Sequence, residues 1–215
     1  MASPVKLIVA GLFDSGPGHW QSLWCDADPD CRKVELGEWA QPSRVLWLSR
    51  LDRAVARERE PVVLVAHSLG CLAVAWWAAE ASRDRLAKVR AALLVAPPDV
   101  DRPDTHPLLR PFAPSPSGAL PFPAMLVASR DDRYACFESA AALAARWNCT
   151  LIDAGARGHL NAESDIGDWP EGRALVDQLV DVNNARPIAA GSASSRAVWA
   201  DHAAEIKRSA SPREP

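Results

Sequence analysis

The sequence predicts an α/β fold built on a six-stranded, mostly parallel sheet with helices on both faces, and three observations carry that expectation. Six short apolar runs rich in Val, Ile and Leu alternate with stretches of helical spacing, the signature of repeated βαβ units. One of those runs passes straight into a turn of small residues and then an apolar helix. Two later runs each end in a polar cluster, at the carboxyl ends of strands where an open α/β sheet gathers its functional groups.

In chain order, the strand candidates are residues 6–10, 32–36, 62–66, 91–96, 124–128 and 150–153, each short and apolar enough to be buried. Helical spacing marks 19–25, 44–57, 69–81, 137–147 and 171–182. Residues 97–123 hold nine of the 18 prolines together with Gly118 and two serines, which reads as a long irregular loop. A loop of that length after a sheet strand is expected to serve as a pocket wall or lid, and its apolar members Leu108, Leu109, Phe112, Leu120 and Phe122 are candidates to line an acyl site. Past Asn184 the composition turns to Ala, Ser and Arg. Residues 1–184 therefore read as one domain, and 185–215 as a tail that is partly disordered or forms one short helix around 197–207.

Composition narrows the function. With 48% hydrophobic and 24% charged residues the chain can bury an ordinary globular core. A net charge of −3 and a pI near 6.0 provide no basic field for nucleic acid. No apolar run approaches the roughly 18 residues of a membrane span, and the start of the chain reads as a first strand rather than a signal peptide. The five cysteines form an odd set without C-x-x-C spacing, so neither a zinc site nor a disulfide framework is indicated and reduced thiols in the cytoplasm are expected. The oligomeric state is not legible.

The most informative stretch runs from Val62 through Ala66-His67-Ser68-Leu69-Gly70-Cys71. A strand, a sharp turn and a helix with small residues flanking a serine is the context of a nucleophile elbow; the alternative is a plain helix start with Ser68 as its N-cap. A serine hydroxyl needs a base, and the base an orienting acid. Ser129-Arg130-Asp131-Asp132-Arg133-Tyr134 follows the fifth strand and Gly158-His159-Leu160-Asn161 the sixth, which supplies Asp131 or Asp132 as acid and His159 as base in the chain order of this kind of sheet. His67 adjoins the serine and its side chain is expected to point away from it. His106 lies in the proline-rich loop and His202 in the tail, so neither competes. An oxyanion is expected to be met by the backbone N–H groups of Leu69, just past the serine, and of Leu12, in the glycine-containing loop after the first strand. That loop matches neither G-x-G-x-x-G nor a Walker loop, so no phosphate or cofactor site is indicated, nor any metal. His19 and Trp20, at the start of the first helix, are candidates for lining a substrate pocket, with Leu109 and Phe112. Cys71, one turn into the elbow helix, is expected to be buried and inert.

Taken together, Gly11 through Pro17 with His19-Trp20-Gln21, the Ser68 elbow, the segment 128–134, Gly158 through Ser164, and Trp169-Pro170-Glu171-Gly172 resemble the small serine hydrolases of the YdeN and retinoblastoma-binding hydrolase family, over about residues 5 to 182. The resemblance implies a compact α/β-hydrolase without a large cap domain, strand order 2-1-3-4-5-6, and a Ser-Asp-His triad whose acid is the second of the paired aspartates, Asp132. The expected activity is cleavage of small carboxylic esters through an acyl-enzyme, with small amides or peptides as alternative substrates. A non-catalytic binding protein on the same fold is the rival from another class, and the tryptophans Trp20, Trp24, Trp39, Trp47 and Trp169 are its main hint.

Overall fold

The computed structural model describes residues 4–184, with side chains through residue 181; the tail expected over 185–215 lies outside the described residues. Strands β1 (Val5–Val9), β2 (Cys31–Lys33), β3 (Val62–His67), β4 (Val89–Val95), β5 (Ala124–Ala128) and β6 (Thr150–Asp153) form one sheet in the order 2-1-3-4-5-6. Every neighbouring pair is parallel. Helices α1 (Trp20–Ala27), α2 (Arg44–Arg57), α3 (Leu69–Glu80), α4 (Arg83–Leu86), α5 (Phe137–Trp147) and α6 (Pro170–Asn184) surround it.

The side-chain alternation of strands explains why both faces are covered. Val62, Leu64 and Ala66 of β3 share one core cluster with Trp47, Leu48 and Leu51 of α2, while the intervening Val63 and Val65 are buried outside that cluster. A parallel sheet with both faces apolar must be sandwiched by helices. Helix α3 is apolar on all sides, and nine of its residues are buried, as befits a helix running through the interior. Helix α2 instead buries Trp47, Leu48, Leu51 and Val55 along one stripe, and Ser43 caps its start by accepting from the Leu46 N–H.

Strand order reverses between β1 and β3, which lie side by side with Val9 opposite Ala66. The crevice that such a reversal opens at the carboxyl ends of the strands is where α/β folds place their ligands.

Three elements differ from expectation. Strand β2 ends at Lys33 instead of running over 32–36, although Val34 and Leu36 are still buried; it is an edge strand, and burial there continues past the last pairing. The short polar helix α4 carries no buried residue and is nucleated by its Ser82 cap. The proline-rich segment contains a 3-10 helix, Pro107–Phe112, and is fastened to the body of the domain. Its carbonyls accept from tryptophan indoles, Trp76 Nε1 to Phe112 at 2.9 Å and Trp147 Nε1 to Pro116 at 2.9 Å. Leu109, Phe112, Leu120 and Phe122 belong to the main core cluster, with Phe112 in ring contact with Trp47 at 5.4 Å. Leu109 and Phe112 therefore seal the core here instead of walling an acyl site, because the large apolar face of α2 and α3 needs a cover and the segment provides it.

Candidate active site

Strand β3 is buried at all six positions and delivers the chain to Ser68 at φ 53°, ψ −126°, a strained left-handed geometry that side chains rarely adopt. The turn is forced by close packing. A Cβ on Gly70 would stand 2.3 Å from the Val9 carbonyl oxygen, and one on Gly11 would stand 2.8 Å from the Ser68 Cβ and 3.2 Å from the Leu69 nitrogen. Only glycine lets α3 sit on the end of β1 and lets the β1–α1 loop sit on the elbow.

Ser68 does not cap α3 with its side chain. Its Oγ lies 2.9 Å from His159 Nε2. His159 Nδ1 in turn lies 2.8 Å and 3.0 Å from the two oxygens of Asp132. An ionised carboxylate can only accept, so Nδ1 carries the imidazole proton and Nε2 presents a lone pair to the serine hydroxyl. Both partners are withdrawn from solvent, with side-chain exposures of 9% for His159 and 2% for Asp132. The Tyr134 N–H steadies Asp132 at 2.9 Å, and the Tyr134 ring stands edge-on to His159 at 4.5 Å. Asp131 points elsewhere: it accepts from Ser129 Oγ at 2.8 Å and from the Gly158 N–H at 2.7 Å. Those two bonds hold its carboxyl below the usual carboxylate range.

On the other side of the serine, the β1–α1 loop turns through two positive-φ residues, Phe13 and Asp14. The Phe13 N–H donates to the Trp39 carbonyl and the Asp14 N–H to Gly11, while Lys33 ties the loop down through Asp14 at 2.8 Å and the Ser15 carbonyl at 2.7 Å. Neither the Leu12 nor the Leu69 N–H has an acceptor among the described residues. Backbone donors left without a protein acceptor are the kind of group that a developing oxyanion requires.

A match to the serine hydrolase family model spans residues 6–178. The chain belongs to that family. Among solved structures, a YdeN-like hydrolase from Pectobacterium atrosepticum shares 27% identity over 84% of this chain and 92% of its own, with a TM-score of 0.74. The ydeN gene product of B. subtilis shares 20% identity over 83% of this chain and 100% of its own, with a TM-score of 0.66. Est1E from Butyrivibrio proteoclasticus, in a structure with ferulic acid bound, shares only 14% identity over 86% and 90% of the two chains at a TM-score of 0.62, a likeness of fold. No curated protein sequence matches the chain.

The remaining candidates of this serine hydrolase lie beneath the site rather than in it. Trp20 is fully buried and donates its indole N–H to the Leu160 carbonyl at 2.9 Å, so it holds up the loop that carries His159 instead of lining a pocket. His19 is 5% exposed, its Nδ1 accepts from the Gln21 N–H at 3.2 Å, and burial pushes its pKa down to about 4. It is therefore neutral at pH 7 and serves as the cap of α1. The His67 ring packs against that of His159 with centroids 4.9 Å apart, and its Nε2–H donates to the His159 carbonyl at 2.9 Å. Burial pushes its pKa well below the ordinary value, so this ring too is neutral. That support was not anticipated from sequence, because it joins residues 92 positions apart. Gln21, fully buried, is a second such residue: it accepts from Ser15 Oγ at 2.6 Å and donates to the Val65 carbonyl at 3.1 Å, joining the loop to β3.

Cys71 is fully buried, and burial pushes its thiol up, which suits a packing role. No group of three or more metal-ligating side chains is assembled among the described residues, and none of their helices is long and apolar enough to cross a membrane. His106 caps its own 3-10 helix through the Leu108 N–H; His202 lies outside the described residues.

Proposed function

We propose that the protein is a carboxylesterase that cleaves small esters through a Ser68 acyl-enzyme. The observation that carries this reading is the continuous relay from Ser68 Oγ to His159 Nε2 at 2.9 Å and from His159 Nδ1 to Asp132 at 2.8 Å. In the reaction, Ser68 Oγ attacks the acyl carbonyl while its proton passes to His159 Nε2, and the negative oxygen of the tetrahedral intermediate is met by the Leu12 and Leu69 N–H groups. Asp132 stabilises the imidazolium without taking its proton. His159 then protonates the departing alcohol, and the same nitrogen activates the water that releases the acid.

Substrate size is set by the side chains left exposed. With Leu109 and Phe112 in the core, two large apolar side chains of the loops that carry the site stay open to solvent, Phe13 in the β1–α1 loop and Tyr134 against His159. Two exposed aromatics form a shoulder rather than a deep slot, which favours short acyl groups. Hydrolysis of p-nitrophenyl acetate, butyrate and octanoate, with the matching anilides, tests the proposal. Acetate or butyrate is expected to turn over fastest, with a loss of several orders of magnitude in Ser68→Ala. Undiminished hydrolysis in that variant defeats the mechanism, faster anilide cleavage moves the assignment to amides, and no turnover of any substrate favours a non-catalytic role.

A further inference from the structure

Cys25, in the last turn of α1, and Cys31, the first residue of β2, are free thiols whose Sγ atoms stand 3.4 Å apart. A disulfide needs about 2.05 Å, so little more than 1 Å of approach separates the pair from a bond. The backbone between them is a tied turn and not a slack loop. The Asp28 N–H donates to the Trp24 carbonyl at 3.0 Å, the Cys31 N–H to the Asp28 carbonyl at 2.9 Å, and the Asp30 N–H to the Asp28 side chain at 2.9 Å. Lys6 pairs with that same Asp28 carboxylate at 3.0 Å. The contact between the sulfurs is thus built into the α1–β2 corner.

We propose that Cys25 and Cys31 form a redox modification site, a dithiol that a peroxide closes to an intramolecular disulfide and a reducing thiol reopens. The two sulfurs are suited to different parts. Cys25 is half-buried and open to a small oxidant, whereas Cys31 is 5% exposed. The contact with Cys31, aided by the nearby Lys33 ammonium, holds the Cys25 thiol below its ordinary range, and the same contact together with burial pushes the Cys31 thiol up. Cys25 is the attacking sulfur and Cys31 the resolving one. In the first step Cys25 Sγ attacks one peroxide oxygen, the O–O bond breaks, and Cys25 becomes a sulfenic acid as water leaves. In the second, Cys31 Sγ attacks the Cys25 sulfur, the S–O bond breaks, and the hydroxide departs as a second water with the Cys31 proton. Two electrons pass from the dithiol to the peroxide, and a thiol reductant returns them by exchange.

The other cysteines supply internal controls. Burial pushes Cys71 up and takes Cys149 to about 12, and Cys136 is exposed without a second cysteine beside it among the described residues. The experiment treats the full-length protein with hydrogen peroxide, blocks free thiols with iodoacetamide, and maps the peptides by mass spectrometry. The expected result is a Cys25–Cys31 linked peptide that dithiothreitol reopens. In Cys31→Ser, Cys25 should stop at a sulfenic acid trapped by dimedone; in Cys25→Ser, Cys31 should remain reduced. Recovery of Cys25 and Cys31 fully alkylated while Cys136 is oxidised would overturn the proposal, as would overoxidation of Cys25 in the unaltered protein without pairing. The mapping on the unaltered protein needs no variant to fold and reads the thiols directly, so it stands apart from the proposed esterase activity.

Discussion

The two halves of the site are held in place by different forces. On the Ser68 side, a central strand with every residue buried ends in a strained turn, and its path is dictated by excluded volume at Gly70 and Gly11. On the His159 side, β6 is an edge strand without a buried residue, and over 154–161 only Leu160 is buried, so burial alone does not fix the loop that carries the histidine. Polar contacts from distant parts of the chain do so instead: Asp132 on the ring, Asp131 on the Gly158 N–H, His67 on the His159 carbonyl and Trp20 on the Leu160 carbonyl. Where a sheet is covered on both faces, shape alone can aim a side chain; at its margin, aim has to come from directed hydrogen bonds.

That contrast can be broken at several points. The largest effect is expected from Asp132→Asn, which removes the carboxylate charge and lets an amide N–H donate to His159 Nδ1, so that the wrong tautomer is held; turnover should fall by about 10⁴, roughly 5 kcal/mol of transition-state stabilisation. Asp131→Asn, which loosens only the loop, should cost about tenfold or less; the reverse ranking in steady-state kinetics would transfer the role. On the other half, Gly70→Ala should destabilise the fold by about 3 kcal/mol through overpacking against the Val9 carbonyl. Glycine to alanine inside a helix ordinarily stabilises by roughly 1 kcal/mol, so a fall in the denaturation midpoint reads the packing alone, and a rise would refute it.

Acid should weaken the packing around both buried histidines. His19 is held at about 4 against an ordinary 6.5, and His67 is lowered too. The unfolded chain therefore takes up protons first as pH falls below 6.5, and stability declines progressively towards pH 4. For His19 the loss is on the order of 3 kcal/mol. In urea denaturation across that range, His19→Asn should flatten the slope; an unchanged slope would place the acid sensitivity elsewhere. An effect between those of Asp132→Asn and Asp131→Asn is expected from His67→Ala, about 10- to 100-fold in kcat with little change in KM, because the His159 loop shifts while substrate contacts stay. His67→Gln, which keeps a donor, should recover part of it. Equal losses in both variants would show that the ring's bulk, not its hydrogen bond, is what supports the loop.

Much of this was legible in the sequence, and the parts that were not share a cause. The strands β5 and β6 fall at the positions read from their apolar runs, and the strand–turn–helix pattern around Ser68 is present, because each depends on local composition and period. The choice between Asp131 and Asp132 needed either a family resemblance or coordinates, since two adjacent carboxylates differ only in which way the turn aims them. Leu109 and Phe112 read as pocket residues because a proline-rich loop after a strand is often one. What placed them in the core is the apolar face of α2 and α3 that has to be covered, a tertiary demand that no local pattern announces. His67 and Trp20 likewise act across 92 and 140 residues of chain, beyond any spacing a linear reading can weigh.

The central claim is that Ser68 is an activated nucleophile, and covalent labelling addresses it without assuming a substrate. The purified protein is treated with a fluorophosphonate and the adduct located by peptide mass spectrometry, alongside Ser68→Ala and Asp132→Asn. The account predicts one stoichiometric adduct on Ser68, absent from Ser68→Ala and formed far more slowly in Asp132→Asn. An unlabelled protein, or an adduct that survives the loss of Ser68, would contradict it.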